Sequence, residues 1–261
     1  GVLASLSDVM RPALHLQAAE TIEQVYGSAP EQWPSLAFHW RGVGDAHKTA
    51  YYSERAGRLA YENAANREAV GYLSDALDAL KRLPPTPQIQ ARIVDVTLML
   101  TRANAFLMLV PPEPLLSEAE RLAATLNDEV RLARVQGAFG SYHYMRGQMP
   151  QAFAYFYKSI AAAEKHGLED VLMLPYNIIG RAMAVNGSYA SSNANLAKGI
   201  RLAEKFQDDE LLVGSLVFHG IGQEIVGQIG AGRQDIVRGL TLSESMGRPE
   251  RYASDLVILG M

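Results

Sequence analysis

Residues 140–159 read GSYHYMRGQMPQAFAYFYKS, residues 180–199 read GRAMAVNGSYASSNANLAKG, and residues 220–239 read GIGQEIVGQIGAGRQDIVRG. Aligned at this forty-residue step, the segments agree by column. Gly140, Gly180 and Gly220 share the first column, and Gly147, Gly187 and Gly227 follow seven residues on. Small residues recur at Ala152, Ser192 and Gly232, bulky ones at Phe156, Leu196 and Ile236, and small ones again at Ser159, Gly199 and Gly239. Glu164, Glu204 and Glu244 form a further column, and Gly260 takes the next step of the first series. Gly is 22 of 261 residues, so five further glycines at set sites arise by chance at roughly a few per million. A fixed period of this length marks a solenoid, a propeller or an array, architectures that act by binding.

The apolar pattern is helical. Leu73, Ala76, Leu77 and Leu80 make one face at i, i+3, i+4, i+7, and Ile89, Ile93, Val96 and Leu100 make another. Proline clusters at Leu83–Pro87 and Val110–Pro114 stop one helix and start the next. The reading is a string of antiparallel helices at 12–26, 31–42, 45–63, 66–82, 87–109, 113–126, 129–146, 149–166, 169–186, 189–206, 209–229, 231–246 and 249–261. Short connections make neighbours pack as hairpins. Gly inside a helix costs about 0.5–1 kcal/mol against Ala, so the repeated Gly140, Gly180 and Gly220 are expected to return it as close helix contact. Gly147, Gly187 and Gly227 are expected to end the first helix of each pair in a left-handed cap.

Composition narrows the function classes. Net charge is −4, with 48% hydrophobic and 20% charged residues and no basic run, so no nucleic-acid footprint is present. Cysteine is zero, which excludes disulfides and thiolate metal sites and fits a reducing, cytoplasmic compartment. The longest uncharged run, Ala182–Ala197, is too short and polar to cross a bilayer. The start, Gly1–Ala4, lacks the basic opening of a signal peptide. The glycine spacing of Gly222–Gly227 fails as a phosphate loop because Gln228 stands where Lys is required, and the dinucleotide fingerprint fails at Ile225. Metalloprotease, serine-hydrolase and kinase motifs are absent. The chain is expected to be non-enzymatic and to carry no cofactor or metal.

The repeat columns resemble the tetratricopeptide repeat, which pairs a small residue in its first helix with a turn glycine, two small residues and a bulky one in its second. Gly140-Gly147-Ala152-Phe156-Ser159 matches at all five places, and the next two repeats match with weaker bulk. Upstream, Gly57, Ala69, Leu73 and Ala76 keep the spacing, with Ala64 in the turn, and Ala103, Ala119 and Leu122 form a poorer copy. The forty-residue step exceeds the family's usual thirty-four. The resemblance covers most of 36–261 and implies an all-α, TPR-like right-handed superhelix of antiparallel helix pairs, an α-α solenoid.

A second resemblance lies in Arg11-Pro12-Ala13-Leu14-His15, Leu36-Ala37-Phe38-His39-Trp40, Gly44-Asp45, Tyr52–Gly57, Arg67–Val70 and Leu83-Pro84. This run is similar to the segment behind the ATPase module of large bacterial signalling proteins of AAA or STAND type. Those chains often also carry a class III adenylate or guanylate cyclase or a DNA-binding regulator. It implies that residues 1–35 form a helical junction to an upstream ATPase, and that 36–261 are a repeat array cut in mid-repeat. Val257-Ile258-Leu259 is apolar where a solenoid end carries a polar cap, so this end is expected to drive self-association.

The resemblance places the concave face on the first helix of each pair. Its candidates are Arg134, Gly137, Ser141, Tyr144 and Met145, then Asn177, Ile178, Arg181 and Val185, then Phe218, Ile221, Glu224 and Ile225. Arg134, Tyr144, Asn177, Arg181, Phe218 and Glu224 are the expected binding residues, with Asn and Arg gripping a peptide backbone or a carboxylate. Tyr142, Tyr144, Tyr155 and Tyr157, with Phe153 and Phe156, are either a gripping surface or the core and rim of one repeat. His39 and His47 are placed to face each other across a turn; His15 and His39 read as structural. The expected function is a protein-interaction and sensing arm that binds a peptide, protein or effector, besides contacting its own chain's missing domains. The alternatives are a stand-alone peptide-binding scaffold and, more remotely, an all-helical enzyme.

Overall fold

The computed structural model describes residues 10–246. Among them are twelve α-helices and no strand: α1 (Met10–Tyr26), α2 (Trp33–Val43), α3 (Ala46–Glu62), α4 (Asn66–Lys81), α5 (Pro87–Phe106), α6 (Glu113–Thr125), α7 (Glu129–Met145), α8 (Met149–His166), α9 (Glu169–Val185), α10 (Tyr189–Phe206), α11 (Asp209–Ile225) and α12 (Ile229–Ser245). A 3₁₀ turn at Pro30–Gln32 precedes α2. The chain divides into two compact units, with the boundary between Ala138 and Phe139, inside α7. The helix expected at 249–261 and the apolar end at 257–261 lie outside the described residues.

The glycine columns explain why the hairpins close. A Cβ on Gly140 would stand 2.4 Å from Phe156 Cδ1, and one on Gly180 would stand 2.6 Å from Leu196 Cγ. In the first unit Gly57 meets Leu73 in the same way, at 2.7 Å. The third repeat goes further: Gly220 and Gly232 press backbone on backbone, each 2.5 Å or less from the other's carbonyl oxygen, measured from a built Cβ. Ser192 Oγ adds a hydrogen bond to the Gly180 carbonyl at 2.9 Å. Each bulky knob fills the space its glycine leaves, and Leu73, Phe156 and Leu196 are fully buried. Burying one such side chain contributes about 1.5–3 kcal/mol.

The turns are equally regular. Gly147, Gly187 and Gly227 take φ of +71°, +77° and +91°. The next residue's N–H reaches back five residues in each case, Gln148 to His143, Ser188 to Met183 and Gln228 to Gln223, at 2.8–2.9 Å. This satisfies carbonyls the helix end would orphan. Ala64, Met108, Asn127 and Gln207 hold the same left-handed place without being glycine. These turns set the helix ends. The expected helix 87–109 stops at Phe106 because Met108 turns left-handed, and 209–229 stops at Ile225 because Gly227 does.

In the first unit α1 is held onto α2 and α3 by Glu23. Its carboxylate accepts from Lys48 Nζ at 2.8 Å, Tyr52 Oη at 2.7 Å and Trp40 Nε1 at 3.1 Å, while Lys48 Nζ lies 3.7 Å over the Trp40 ring. The histidine expectation is corrected here. His39 does not face His47, which is exposed. His39 Nδ1 lies 3.1 Å from His15 Nδ1, because the His15 ring occupies the space over Gly42, 2.5 Å from where a Cβ would stand.

Three tests follow from this packing. Helix propensity favours Gly180→Ala by about 1 kcal/mol, yet overpacking against Leu196 is expected to lower stability by about 1–3 kcal/mol in urea denaturation. Gln207→Gly is expected to raise stability by up to about 1 kcal/mol in the same assay, because it relieves a left-handed non-glycine. Acidification tests the α1 contacts. Burial, then the His15 charge, hold the His39 imidazole below its ordinary value. Burial alone would raise the Glu23 carboxyl, but the Lys48 and Tyr52 hydrogen bonds, the Lys48 charge and Trp40 outweigh it and hold it low. Both groups therefore bind protons more readily in the unfolded chain. Their contribution is complete above the ordinary values of 6.5 and 4.5 and disappears as pH falls through the lower folded values. Denaturation midpoints should fall below pH about 6.5 and again below about 4.5, and Glu23→Gln should flatten the lower limb.

Candidate functional site

The first helices α9 and α11, and likewise α3 and α5, turn one face to each other, and packing there decides which candidate residues stay open. Asn177, on α9, is 1% exposed. Its Nδ2 donates to the Leu211 carbonyl at 3.1 Å and to Ser215 Oγ on α11. This corrects its place as an open binding residue: the amide that was to grip a ligand is committed to joining two helices. Glu54 does the same work in the first unit, pairing from α3 with Arg92 on α5 at 2.9 Å. Burial pushes the Glu54 carboxyl above its ordinary value, although the Arg92 charge and hydrogen bond pull it down.

Phe218 is likewise core, 2% exposed among Ala184 and Leu196. Arg181 covers it: the guanidinium carbon lies 4.7 Å from the ring centroid. The same guanidinium stands 3.3 Å from where a Cβ on Gly214 would be. Gly214 thus leaves the room that the Arg181 guanidinium takes, a role the sequence reading missed because Gly214 falls outside the repeated glycine columns. Ile178 and Ile221 are buried as well. Two of the expected face residues are open and apolar: Val185 and Ile225, forty residues apart in register, are each 54% exposed. Glu224 is half-buried, its Cγ 2.6 Å from where a Cβ on Gly232 would stand. Tyr144 is 37% exposed near the end of α7. Arg134 is half-buried and belongs to the first unit.

The tyrosine cluster separates into core and rim. Tyr142 and Phe156 are buried, and Tyr144 and Tyr157 are exposed. Tyr155 stacks on Phe139 with centroids 4.8 Å apart and on His143 at 5.4 Å. One and two repeats later the residues in the Phe139, His143 and Tyr155 columns are Ile179, Met183 and Asn195, then His219, Gln223 and Asp235. In the last set His219 Nδ1 and Asp235 Oδ2 are 2.8 Å apart. One hairpin edge is therefore built successively from aromatic, mixed and polar groups, which shows its role as mortar between helices. Among the described residues no group of three or more His, Asp or Glu could hold a metal ion. No described helix is long and apolar enough to cross a membrane.

Neither a protein-family model nor a curated protein sequence matches the chain. Solved structures do. Aspartyl phosphate phosphatase F from Bacillus subtilis superposes with a TM-score of 0.62 at 16% identity over 92% of this chain and 61% of its own. The chain thus spans under two thirds of that protein. A Rap protein complexed with competence and sporulation factor gives 0.55 at 14% identity, over 98% of this chain and 75% of its own. BtubC (BKLC) from P. vanneervenii gives 0.54 at 11% identity, over 93% of each chain. The fold is a helix-pair repeat of tetratricopeptide type. Identity this low shows the fold alone.

The inter-helix reading of Asn177 is testable. Asn177→Ala removes the donor to the part-buried Leu211 carbonyl and to the buried Ser215 hydroxyl, at a cost of about 1–3 kcal/mol. Asn177→Ser with Ser215→Asn, which restores a donor across the same gap, should recover part of it. Equal stability of Asn177→Ala and the parent chain in urea would contradict the clamp.

Proposed function

We propose that this chain is the non-catalytic sensing arm of a larger bacterial signalling protein, and that the first-helix face of its second unit binds a peptide or protein segment. The observation that carries the reading is the pair Val185 and Ile225, exposed to the same 54% at the same place in successive repeats. Folding gives no reason to repeat an open apolar residue, whereas an interface does. Arg181, Glu224 and Tyr144 are the polar candidates on that face, and Arg134, in the first unit, is a separate candidate. A Rap protein of this fold, in complex with competence and sporulation factor, lends the reading support at the level of the fold.

Residues 1–35 are the junction to an ATPase upstream, and 36–261 are the array; an attached cyclase or transcription regulator would be biased by differential affinity of the ligand for two states. The apolar run 257–261 is a candidate for self-association. Peptides selected on the chain from a displayed random library test the site. Their affinity should fall roughly tenfold or more in Val185→Asp/Ile225→Asp, whose changes lie at exposed positions and spare the fold. Selected peptides that bind the double variant as well as the parent would place recognition elsewhere. The isolated chain should also leave ATP unhydrolysed, and turnover by the pure chain would falsify the non-catalytic reading.

A further inference from the structure

Gly71 is a helix-interior glycine whose place the packing does not explain. It lies inside α4, yet nothing comes within 4 Å of where its Cβ would stand. The helical glycines Gly42, Gly57, Gly140, Gly180, Gly199 and Gly220 all meet a side chain or backbone within that distance. A helix interior disfavours glycine against alanine, so Gly71 weakens α4 with no return inside the described chain.

The space above it is a groove. It is lined by Phe38 and Arg41 of α2 and by Glu68, Gly71, Tyr72 and Asp75 of α4, with a volume of about 340 Å³. Spacings of three, four and seven residues put these groups on one face of each helix. Phe38 is 48% exposed. Arg41 and Asp75 form an ion pair across one end and cancel each other. Glu68 is exposed and has no hydrogen bond or ion pair among the described residues. The groove therefore offers aromatic surface, a bare stretch of backbone and one uncompensated carboxylate.

We propose that this groove docks an arginine side chain of a partner protein. The guanidinium lies against Phe38 and beside Tyr72, pairs with Glu68, and lets the partner backbone pass over Gly71. A planar, weakly hydrated cation suits this combination better than an ammonium, because it stacks on rings and bonds a carboxylate at two points. The absence of a Cβ at Gly71 admits the partner's main chain. The site uses the first unit alone and does not depend on the first-helix face proposed above.

The test uses the whole chain, ¹⁵N-labelled, titrated with acetyl-Gly-Arg-Gly-amide and with the norleucine analogue as control. The arginine peptide should give saturable shifts at the amides of Phe38, Gly71 and Tyr72 with a dissociation constant in the millimolar range, and the control should give none. Glu68→Gln, at an exposed position, should weaken binding by roughly fivefold or more. Gly71→Leu should abolish it while the helical circular dichroism spectrum stays unchanged. Gly71→Ala should raise the melting temperature, since its methyl enters open space; a lower value would refute the open groove and the proposal with it. Absence of saturation, equal response to norleucine, or full binding by Glu68→Gln would each overturn it.

Discussion

A bare Cα set against a bulky side chain one helix away is the contact on which four of the hairpins depend. Gly57 takes Leu73, Gly140 takes Phe156, Gly180 takes Leu196, and Gly220 takes Ile236 together with the backbone at Gly232. A methyl group at any of these points would stand closer than real Cβ atoms come to other heavy atoms. In these four pairs the distance between the two helices is therefore set by glycine on one side and by the shape of the knob on the other. Packing of this density tolerates little change in volume.

Stacking one hairpin on the next requires a second set of contacts, and these draw on polar groups. Asn177 joins α9 to α11, Glu54 with Arg92 joins α3 to α5, and Arg238 with Glu204 joins α12 to α10 at 2.7 Å. The exposed pairs contribute little each. The Asn177 bond is of a different kind, because losing it strands the buried Ser215 hydroxyl. Such commitments remove residues from the surface. Asn177 and Phe218 serve cohesion, while Val185 and Ile225 stay exposed.

The helices, their pairing and the glycine contacts were legible in the sequence because they repeat: a forty-residue period records a steric constraint that each hairpin must meet separately. The left-handed turns at Gly147, Gly187 and Gly227 were legible for the same reason. The turn at Gln207 was not, since its residue type carries no such mark. The exposure of the candidate face was legible only in part. Position along a first helix says which way a side chain points within its own hairpin, but not whether the next hairpin covers it, and Asn177 was covered. Gly214 and the partnership of His15 with His39 depend on contacts between helices for which the period holds no information.

The central claim is that glycine and knob act as one steric unit. A double-mutant cycle over Gly180→Ala and Leu196→Ala in urea tests it most directly. Leu196→Ala empties the space that the new methyl of Gly180→Ala would occupy, so the two losses should fall short of additive by about 1 kcal/mol or more. Strict additivity would mean that the two residues do not sense each other, and would contradict the account.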